Sequence, residues 1–589
     1  MAASPRVDGP LLVFGPRSLE YDFGPHHPLT PKRFGPGIDL LRAVGAGPGL
    51  APGPAADEEL VRVHLPAYVA QVRRFAADPA LPGAMGIGLS DQPAFRGMHE
   101  AAAIVAAGSL RAIEAILRGD VEHAHQPGGG LHHAMPGAAS GFCIYNDPAL
   151  AVVRARAEGL RVLYVDLDVH HGDGVQAITY TDPGALTLSL HESGRYLFPG
   201  TGSVDEVGEG GAAGSSVNVP LEPYTGETAW LAAVRALLPT LAAVFGPDVV
   251  VSQHGADSHA WDPLAHLRVT TTAHAEAARL VDAVAHRWGR GRWLATGGGG
   301  YDAYRVVPRT WALTWLAGAH REPDAATPAA WRDRWDDDAA AFGTPGMPAT
   351  FLDPPNAGQP VGSQQVAAND ESLRTLERVR TVVLPALVRE AEDRGWWTPV
   401  LSWAGRTVHG VGPGAGNGER GPVASHAVRT PTIRPLTRGD LSRFTLAPRT
   451  IAPFDPADAM AILRAAVVDG ARVVGAIADD VLVGIAVVAG DPGDRPAERL
   501  LAVGVAPAHR RQGIGRALLA RLVADRPTGV ALTAVVNVAE RDVVEPLDVA
   551  VRIEIAGRLL RGVGFELGSV SPDVRRDDPW AIEGRLASR

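Results

Sequence analysis

From residue 11 to about residue 320, short apolar runs typical of β-strands alternate with stretches of helical periodicity. The strand-like runs include LLVFG, RVLYVDLDV, ALTLSLH, PDVVVSQHG and RWLATGGGG, whereas the Ala-rich segment MHEAAAIVAAGSLRAIEAILRG has a helical pattern. This alternation predicts a parallel sheet covered by helices on both faces. Polar residues follow several of the runs, and the carboxyl ends of parallel strands share one edge of a sheet, so we expect these loops to converge on one site.

Composition and charge restrict the function further. The chain has 589 residues and a single cysteine, Cys143, which excludes an internal disulfide and a multi-cysteine zinc site, so a metal would need His and carboxylate ligands. A formal net charge of −10 argues against nucleic acid as a partner. The first residues lack the pattern of a signal peptide and no run of 18 apolar residues occurs, so we expect a cytoplasmic protein without a membrane span.

The pattern changes twice after residue 320. Residues 320–400 contain a helical stretch in which Leu373, Leu376, Val379 and Val383 have helical spacing, which predicts a helical tail packed on the first domain. The Gly-rich stretch 404–430 is typical of a linker. We therefore predict a first domain over 1–403 and a smaller α+β domain over 431–579.

Acidic and imidazole side chains cluster in the segment LYVDLDVHHGDGV. Asp166, Asp168 and His170 occupy alternate positions of a strand-like run, so they share one face of the strand. An Asp-x-His pair is a weak signal by itself because such pairs are often only hydrogen-bonded. Its weight increases because the tandem His132 and His133 lie upstream, while Asp262 in WDP and Tyr301, after four glycines, lie downstream.

These motifs, in this order over roughly the first 400 residues, resemble those of the zinc-dependent histone deacetylase family, and most closely its bacterial acetoin-utilisation branch. The resemblance implies an arginase-like α/β fold and zinc ligands at Asp168, His170 and Asp262. Three protein ligands leave a coordination position open, as in catalytic rather than structural zinc sites. Iron(II) is the alternative metal, since His and carboxylate ligands do not distinguish it from zinc.

The resemblance also implies roles for the remaining site residues. His132 and His133 match the catalytic pair, with Asp166 and Asp173 as their carboxylate partners, and Tyr301 matches the tyrosine that binds the substrate carbonyl. Residues matching the acyl-lysine tunnel are Gly141, Phe142 and Phe198, and Arg33 matches an arginine of an interior acetate channel. A monovalent cation, K⁺, is implied beside Ser189 and Leu190 and the backbone oxygens of Asp166, Asp168 and His170.

The implied activity is hydrolysis of N-acetyl-lysine, with acetylated protein as the expected substrate. Acetylpolyamines are the alternative substrate within the same chemistry, and a reader of acyl-lysine without catalysis is a further alternative. A dinuclear ureohydrolase on the same fold would need additional bridging carboxylates. Asp257 and Asp262 are available, but Ser258, His259, Ala260 and Trp261 separate them, which favours one metal ion.

A second constellation lies in VAPAHRRQGIGRALLARL, where a glycine-bearing turn joins a strand to a helix. Backbone amides at such a helix N-terminus can bind a pyrophosphate. With the preceding hairpin ARVVGAIADDVLVGIAVVAG, this segment resembles the acetyl-CoA site of GNAT acetyltransferases. The implied cofactor-binding residues are Arg510, Arg511, Gln512, Gly513, Ile514, Gly515 and Arg516. All nine tyrosines precede residue 305, so a late tyrosine acid is missing, and an acyl-CoA sensor is an alternative to an active acetyltransferase.

Overall fold

The computed structural model divides the chain into two compact units, Met1–Trp397 and Thr398–Arg589. The structure describes residues 9–89, 91–354, 357, 362–396, 431–447, 460–461, 463–464, 467, 470–478, 480–490, 497–505, 514–527, 530–536, 563, 566–568 and 582–586. The predicted linker, 404–430, lies outside these residues.

The first unit contains a seven-stranded parallel sheet. Its strands are β1 (Leu11–Leu12), β2 (His123–Gln126), β3 (Val162–Asp166), β4 (Ala185–Glu192), β5 (Ser216–Leu221), β6 (Val249–Gln253) and β7 (Trp293–Thr296). The strand order is β1-β2-β7-β6-β3-β4-β5, which places β3 between β4 and β6 near the middle of the sheet. Asp166, the last residue of β3, pairs with Ser189 on one side and Gln253 on the other. The predicted parallel sheet is confirmed.

Helices cover the sheet, and the predicted Ala-rich segment forms one of them, α4. They are α1 (Phe34–Ala43), α2 (Asp57–Leu60), α3 (Pro66–Ala77), α4 (Met98–Arg118), α5 (Asp147–Arg156), α6 (Asp173–Thr179), α7 (Glu227–Phe245), α8 (Thr271–Trp288), α9 (Val307–Gly318), α10 (Ala329–Ala341) and α11 (Ser363–Asp393). Side-chain caps begin α5 and α8, where Asn146 accepts from Ala149 N and Thr270 accepts from Ala273 N. Strands β3 and β6 are buried along their whole length, as expected for a sheet covered on both faces.

The long helix α11 completes the first unit. Leu376, Val379 and Val383 are almost fully buried, and the helix packs on α7 and β5. Leu373, which the sequence places in the same stripe, is 38% exposed instead, and Leu387, 3% exposed, continues the stripe toward the C-terminus.

Helix α7 is the one described helix that is long and apolar enough to cross a membrane. In this structure 72% of its apolar window is buried inside the protein. The helix packs on α8 and α11 and on strand β4, so its apolar surface is covered by the rest of the first unit.

The second unit contains an eight-stranded sheet. Its elements are β8 (Thr432–Leu436), α12 (Arg438–Arg443), β9 (Thr445–Leu446), β10 (Arg472–Ala478), β11 (Val481–Gly490), β12 (Ala497–Val505), α13 (Ile514–Ala524), β13 (Ala531–Val536), β14 (Glu566–Gly568) and β15 (Ile582–Leu586). The predicted hairpin is the antiparallel pair β10–β11, and β12 pairs in parallel with β13. Strand β15 lies beyond residue 579, so the sheet extends past the predicted boundary of this domain.

Candidate active site

The site lies at the carboxyl ends of the central strands of the first unit. Strand β3 ends at Asp166, and the loop that follows carries Asp168 and His170 before helix α6 begins at Asp173. Neighbouring β6 ends at Gln253 and is followed by the loop that carries Asp257. The two loops meet because their strands are adjacent and parallel, which is the convergence predicted from the sequence.

Three side chains form a group that can hold a metal ion: Asp168, His170 and Asp257. Their candidate ligand atoms all lie within 4.8 Å of one another. His170 Nδ1 is 3.0 Å from Asp168 Oδ1 and 3.2 Å from Asp257 Oδ2. Two carboxylates and one imidazole, with three protein ligands in total, are a donor set that suits catalytic zinc.

Asp262, the third ligand predicted from the sequence, stays a prediction. Its two carboxylate oxygens accept backbone N–H groups, Oδ1 from Leu264 and Oδ2 from Tyr301, and it is not in the group of donors around His170. Asp257 Oδ1 accepts the Val169 N–H at 2.9 Å, which fixes this carboxylate beside His170.

The charge balance of the group supports a cation. Asp168 and Asp257 are at most 1% exposed, and among the described residues neither forms an ion pair with an arginine or lysine. Two buried carboxylates on one imidazole are costly unless positive charge compensates them. The residues therefore fit a divalent cation.

Glycines allow the loops to approach the group. A Cβ atom at Gly299 would lie 1.9 Å from Asp257 Oδ2, and one at Gly255 would lie 2.2 Å from Asp168 Oδ2. Gly299 N also donates to Asp168 Oδ2 at 2.8 Å. The glycine run before Tyr301 therefore serves close backbone approach to two carboxylates.

Each of the two tandem histidines pairs with its own carboxylate. His132 Nδ1 is 2.7 Å from Asp166 Oδ2, and His133 Nδ1 is 2.6 Å from Asp173 Oδ1. Their Nε2 atoms face each other at 3.0 Å. Each carboxylate thus orients one ring, as the sequence predicted, and directs its Nε2 toward the metal group.

Electrostatics separate the two histidines. Burial would lower the pKa of His132, but the carboxylates of Asp166 and Asp168 outweigh it and raise the pKa to about 9. For His133, burial and the positive charge of His132 hold the pKa well below its ordinary value. At neutral pH His132 is therefore the positively charged imidazolium, and His133 is a neutral imidazole.

Tyr301 lines a pocket together with Asp168, His170 and both tandem histidines. Burial and nearby carboxylates raise the pKa of Tyr301 well above its usual range, so the phenol keeps its proton. Arg33 is 3% exposed, and its Nη1 donates to Gly298 O at 2.8 Å. Arg33 is thereby placed behind the glycine run that leads to Tyr301.

The predicted tunnel residues lie along the approach to this pocket. Phe198 packs edge-on against His133 with ring centroids 5.0 Å apart, and it is 47% exposed. Phe142 packs edge-on against Tyr301 with centroids 6.0 Å apart. A Cβ at Gly141 would lie 2.3 Å from His133 Cδ2 and 2.8 Å from Phe198 Cε1, so only glycine fits between them.

Several residues that organise the site were not identified from the sequence. Asp147 is fully buried and accepts from Leu131 N, Gly130 N and Ser109 Oγ, which fixes the loop before His132. Tyr164 donates its hydroxyl to Asp166 at 2.6 Å, and Gln253 donates to Asp168 Oδ2 at 2.6 Å. Tyr164 and Gln253 lie on strands β3 and β6 that were predicted, so strand adjacency is the signal that points to them.

The structure describes two further predicted sites only in part. Ser189 Oγ is 2.9 Å from His191 Nδ1, and Gly172 N donates to it at 3.4 Å. In the second unit Arg510, Arg511, Gln512 and Gly513 lie outside the described residues. Helix α13 begins at Ile514, whose side chain is buried in the core, while Gly515 is half-buried and Arg516 is exposed.

Two family models match this chain, one in each unit. The model of the histone deacetylase domain matches residues 27–317, and that of the acetyltransferase (GNAT) domain matches residues 469–546. The acetoin utilization protein AcuC of Bacillus subtilis (strain 168) is 42% identical over 358 residues, which cover 60% of this chain and 92% of that protein. AcuC of Staphylococcus xylosus is 36% identical over 332 residues, which are 55% of this chain and 86% of that protein.

A solved structure gives the same result for the fold. The crystal structure of an HDAC homolog complexed with SAHA aligns with a TM-score of 0.54 and 28% identity, and it covers 62% of this chain and 100% of its own. Fold, family model and relatives agree over the first unit: the chain belongs to the histone deacetylase family, in the branch of the AcuC proteins, and it carries a GNAT domain after its deacetylase domain.

Proposed function

We propose that the first unit hydrolyses the acetyl amide of N-acetyl-lysine side chains in proteins, using a zinc ion held by Asp168, His170 and a third ligand, the carboxylate of Asp262 or of Asp257. The observation that carries the proposal is one pocket that brings Asp168 and His170 together with the tandem histidines and Tyr301. Iron(II) would satisfy the same donors, and metal analysis of the purified chain distinguishes the two. A zinc ion bound there supplies Lewis acidity toward an amide carbonyl.

The tandem histidines handle the protons of the hydrolysis. His133 donates its Nδ1–H to Asp173, so its Nε2 carries a lone pair that can take a proton from water. Its low pKa keeps it neutral and available. His132, held protonated by Asp166, lies 3.0 Å away and can deliver a proton to the departing lysine amine.

Tyr301 stabilises the charge that develops on the amide oxygen. Its hydroxyl keeps its proton because the pKa is raised, so it acts as a hydrogen-bond donor in a pocket from which water is largely excluded. Asp262 supports this role as a positioning residue because its Oδ2 accepts the Tyr301 backbone N–H at 2.9 Å. The acetate product leaves through an interior channel beside Arg33.

The tunnel favours a substrate with a long aliphatic arm. Phe142 packs on Tyr301 and Phe198 packs on His133, so aromatic faces lead to the reacting groups. Four methylene groups of a lysine side chain fit such an apolar passage, and a polyamine arm has the same chemistry. K⁺ beside Ser189 and Leu190 belongs to the same proposal, with the Ser189 hydroxyl as one oxygen donor.

Acetate release from an acetylated lysine peptide and from an acetylpolyamine tests this function directly. Tyr301→Phe should lower kcat by about 10²–10³-fold, the effect of losing one donor to a developing oxyanion, and should keep its zinc. Equal acetate release by the wild type and Tyr301→Phe would contradict the assignment. Faster turnover of the polyamine than of any peptide would indicate that the substrate is the small amine and not a protein.

We infer that the second unit binds acetyl-CoA at the segment that leads into helix α13, with Arg510, Arg511, Gln512, Gly513, Gly515 and Arg516 contacting the pyrophosphate through side chains or amides. The support is the GNAT family match over residues 469–546. Glu498 of strand β12 forms a two-fold ion pair with Arg472, which argues against its acting as the general base of an acetyl transfer. Calorimetry with acetyl-CoA and an acetyl-transfer assay separate a sensor, which binds without turnover, from an acetyltransferase.

A further inference from the structure

A second cluster of metal-ligating side chains lies far from the pocket, at the opposite end of the sheet. It consists of His123, Asp282, His286 and His320, whose candidate ligand atoms all lie within 4.8 Å of one another. His123 begins β2, Asp282 and His286 lie one turn apart on α8, and His320 follows the end of α9. The tandem histidines, by contrast, come after the carboxyl end of β2.

The Asp282 carboxylate lies at distances from the three histidines that are typical of ligands sharing one metal ion. Asp282 Oδ1 is 3.5 Å from His123 Nε2, 3.5 Å from His286 Nε2 and 3.4 Å from His320 Nε2. A tetrahedral zinc site with bonds of about 2.0–2.1 Å separates neighbouring ligand atoms by about 3.3–3.4 Å. Hydrogen bonds between an imidazolium and a carboxylate are shorter, at about 2.7–2.9 Å. The carboxylate is therefore spaced as a ligand and not as a hydrogen-bond acceptor.

Two buried atoms point into the cluster without a partner. His123 Nε2 and Asp282 Oδ1 are buried and have no hydrogen bond to any described residue. The other ring nitrogen of His123, Nδ1, is 2.8 Å from the Gly318 carbonyl oxygen, so Nδ1 carries the proton and Nε2 presents its lone pair. Such a lone pair is costly in the interior unless a cation or donor meets it.

The remaining two ligands are accessible from solvent. The side chain of His286 is 37% exposed and that of His320 is 55% exposed, and their Nε2 atoms are 3.0 Å apart. His320 adopts a left-handed backbone, with φ of 54°, at a position after a helix where glycine is usual. An ion can therefore enter from the surface and bind to buried ligands on the inner side.

We propose that His123, Asp282, His286 and His320 form a second divalent-metal site of the zinc type. Four protein ligands close the coordination shell, which is the arrangement of a structural rather than a catalytic site. The ion would join strand β2, helix α8 and the end of helix α9, three elements that are distant in sequence. Its role is to stabilise the first unit, independently of the proposed hydrolysis.

Zinc stoichiometry of the full chain after dialysis tests this site separately from the active site. The wild type should hold two zinc ions, and His320→Ala and His170→Ala should each hold one. If the wild type and His320→Ala both hold one ion and His170→Ala holds none, the cluster is only a hydrogen-bonded group and the proposal is overturned. If instead the wild type holds one, His320→Ala none and His170→Ala one, the proposed active-site zinc fails and the second site stands.

Spectroscopy and melting provide readouts that do not depend on activity. In the His170→Ala background, Co²⁺ should produce the visible absorption of a tetrahedral N₃O site, and His286→Ala should abolish it. Chelation should lower the Tm of His170→Ala but not that of its double variant with His286→Ala. His266→Ala is the matched control, because His266 is 48% exposed and pairs with one carboxylate, Glu192, outside any metal group. Loss of the Co²⁺ absorption in this control would contradict the site.

Discussion

The Nε2 atoms of His132 and His133 face each other at 3.0 Å, while each ring is held from behind by its own carboxylate. Because the pKa of His132 is raised to about 9 and that of His133 is lowered, the pair divides into an acid, His132, and a base, His133. The environment rather than the residue type therefore determines which histidine accepts a proton, because the two rings are chemically identical and adjacent in sequence.

Asp173→Asn should weaken the base. The Asp173 carboxylate raises the proton affinity of His133, so its loss lowers the pKa of His133 and moves the acidic limb of the kcat/KM profile to lower pH. We expect kcat to fall by about 10–100-fold, as for other residues that orient a reacting group. A pH–rate profile measures both effects. Asp205→Asn, which removes an exposed partner of Arg378, is the control, and an unshifted limb in Asp173→Asn would refute the assignment.

Replacement of Asp257 and of Asp262 should identify the third ligand of the metal. Loss of a direct ligand should lower zinc affinity more than the roughly 10–100-fold typical of losing an outer partner. Asp257 lies in the donor group around His170, whereas Asp262 contacts the Tyr301 backbone, so we expect the larger loss of zinc in Asp257→Asn. Competition with a zinc chelator gives both affinities, and a larger loss of zinc in Asp262→Asn would support the ligand predicted from the sequence.

Gly299→Ala should disturb the metal group through one methyl group. The new Cβ would lie 1.9 Å from Asp257 Oδ2, so either the carboxylate or the loop must move. We expect zinc content and acetate release to fall together. Gly53→Ala is the matched control, because nothing lies within 4 Å of its added Cβ. Normal zinc binding by Gly299→Ala, measured by mass spectrometry, would disprove the role of the close approach.

Leu376→Ala should destabilise the first unit, since Leu376 is 1% exposed where α11 packs on the unit. Removing a buried leucine costs about 2–5 kcal/mol. Leu373→Ala, three residues earlier and 38% exposed, should change stability by less than about 0.5 kcal/mol. Calorimetry of the full chain reports the Tm of each variant, and equal values would place α11 outside the core.

The sequence predicted strands β3, β4, β6 and β7 because each is rich in apolar residues. It did not predict β2, whose residues His123–Gln126 read HAHQ and have no apolar run, although all four are buried. Packing against β7 and hydrogen bonds, not composition, place this strand in the sheet.

The metal group was predicted only in part for a similar reason. Asp168 and His170 follow from the two-residue period of one strand, which sequence shows directly. The position of Asp257 beside His170 depends on how the loop after β6 turns, and the hydrogen bond from Val169 N fixes it. That contact joins residues 88 positions apart, so no local pattern can reveal it.

Helix α11 also determines how short an active fragment can be. The deacetylase match ends at residue 317, yet Leu376, Val379 and Val383 of α11 cover α7 and the edge strand β5. A fragment cut at the end of the match would therefore expose an apolar helix and an unprotected sheet border, which favours aggregation. Cutting after Asp393 retains this cover and separates the first unit from the second without exposing the apolar surface.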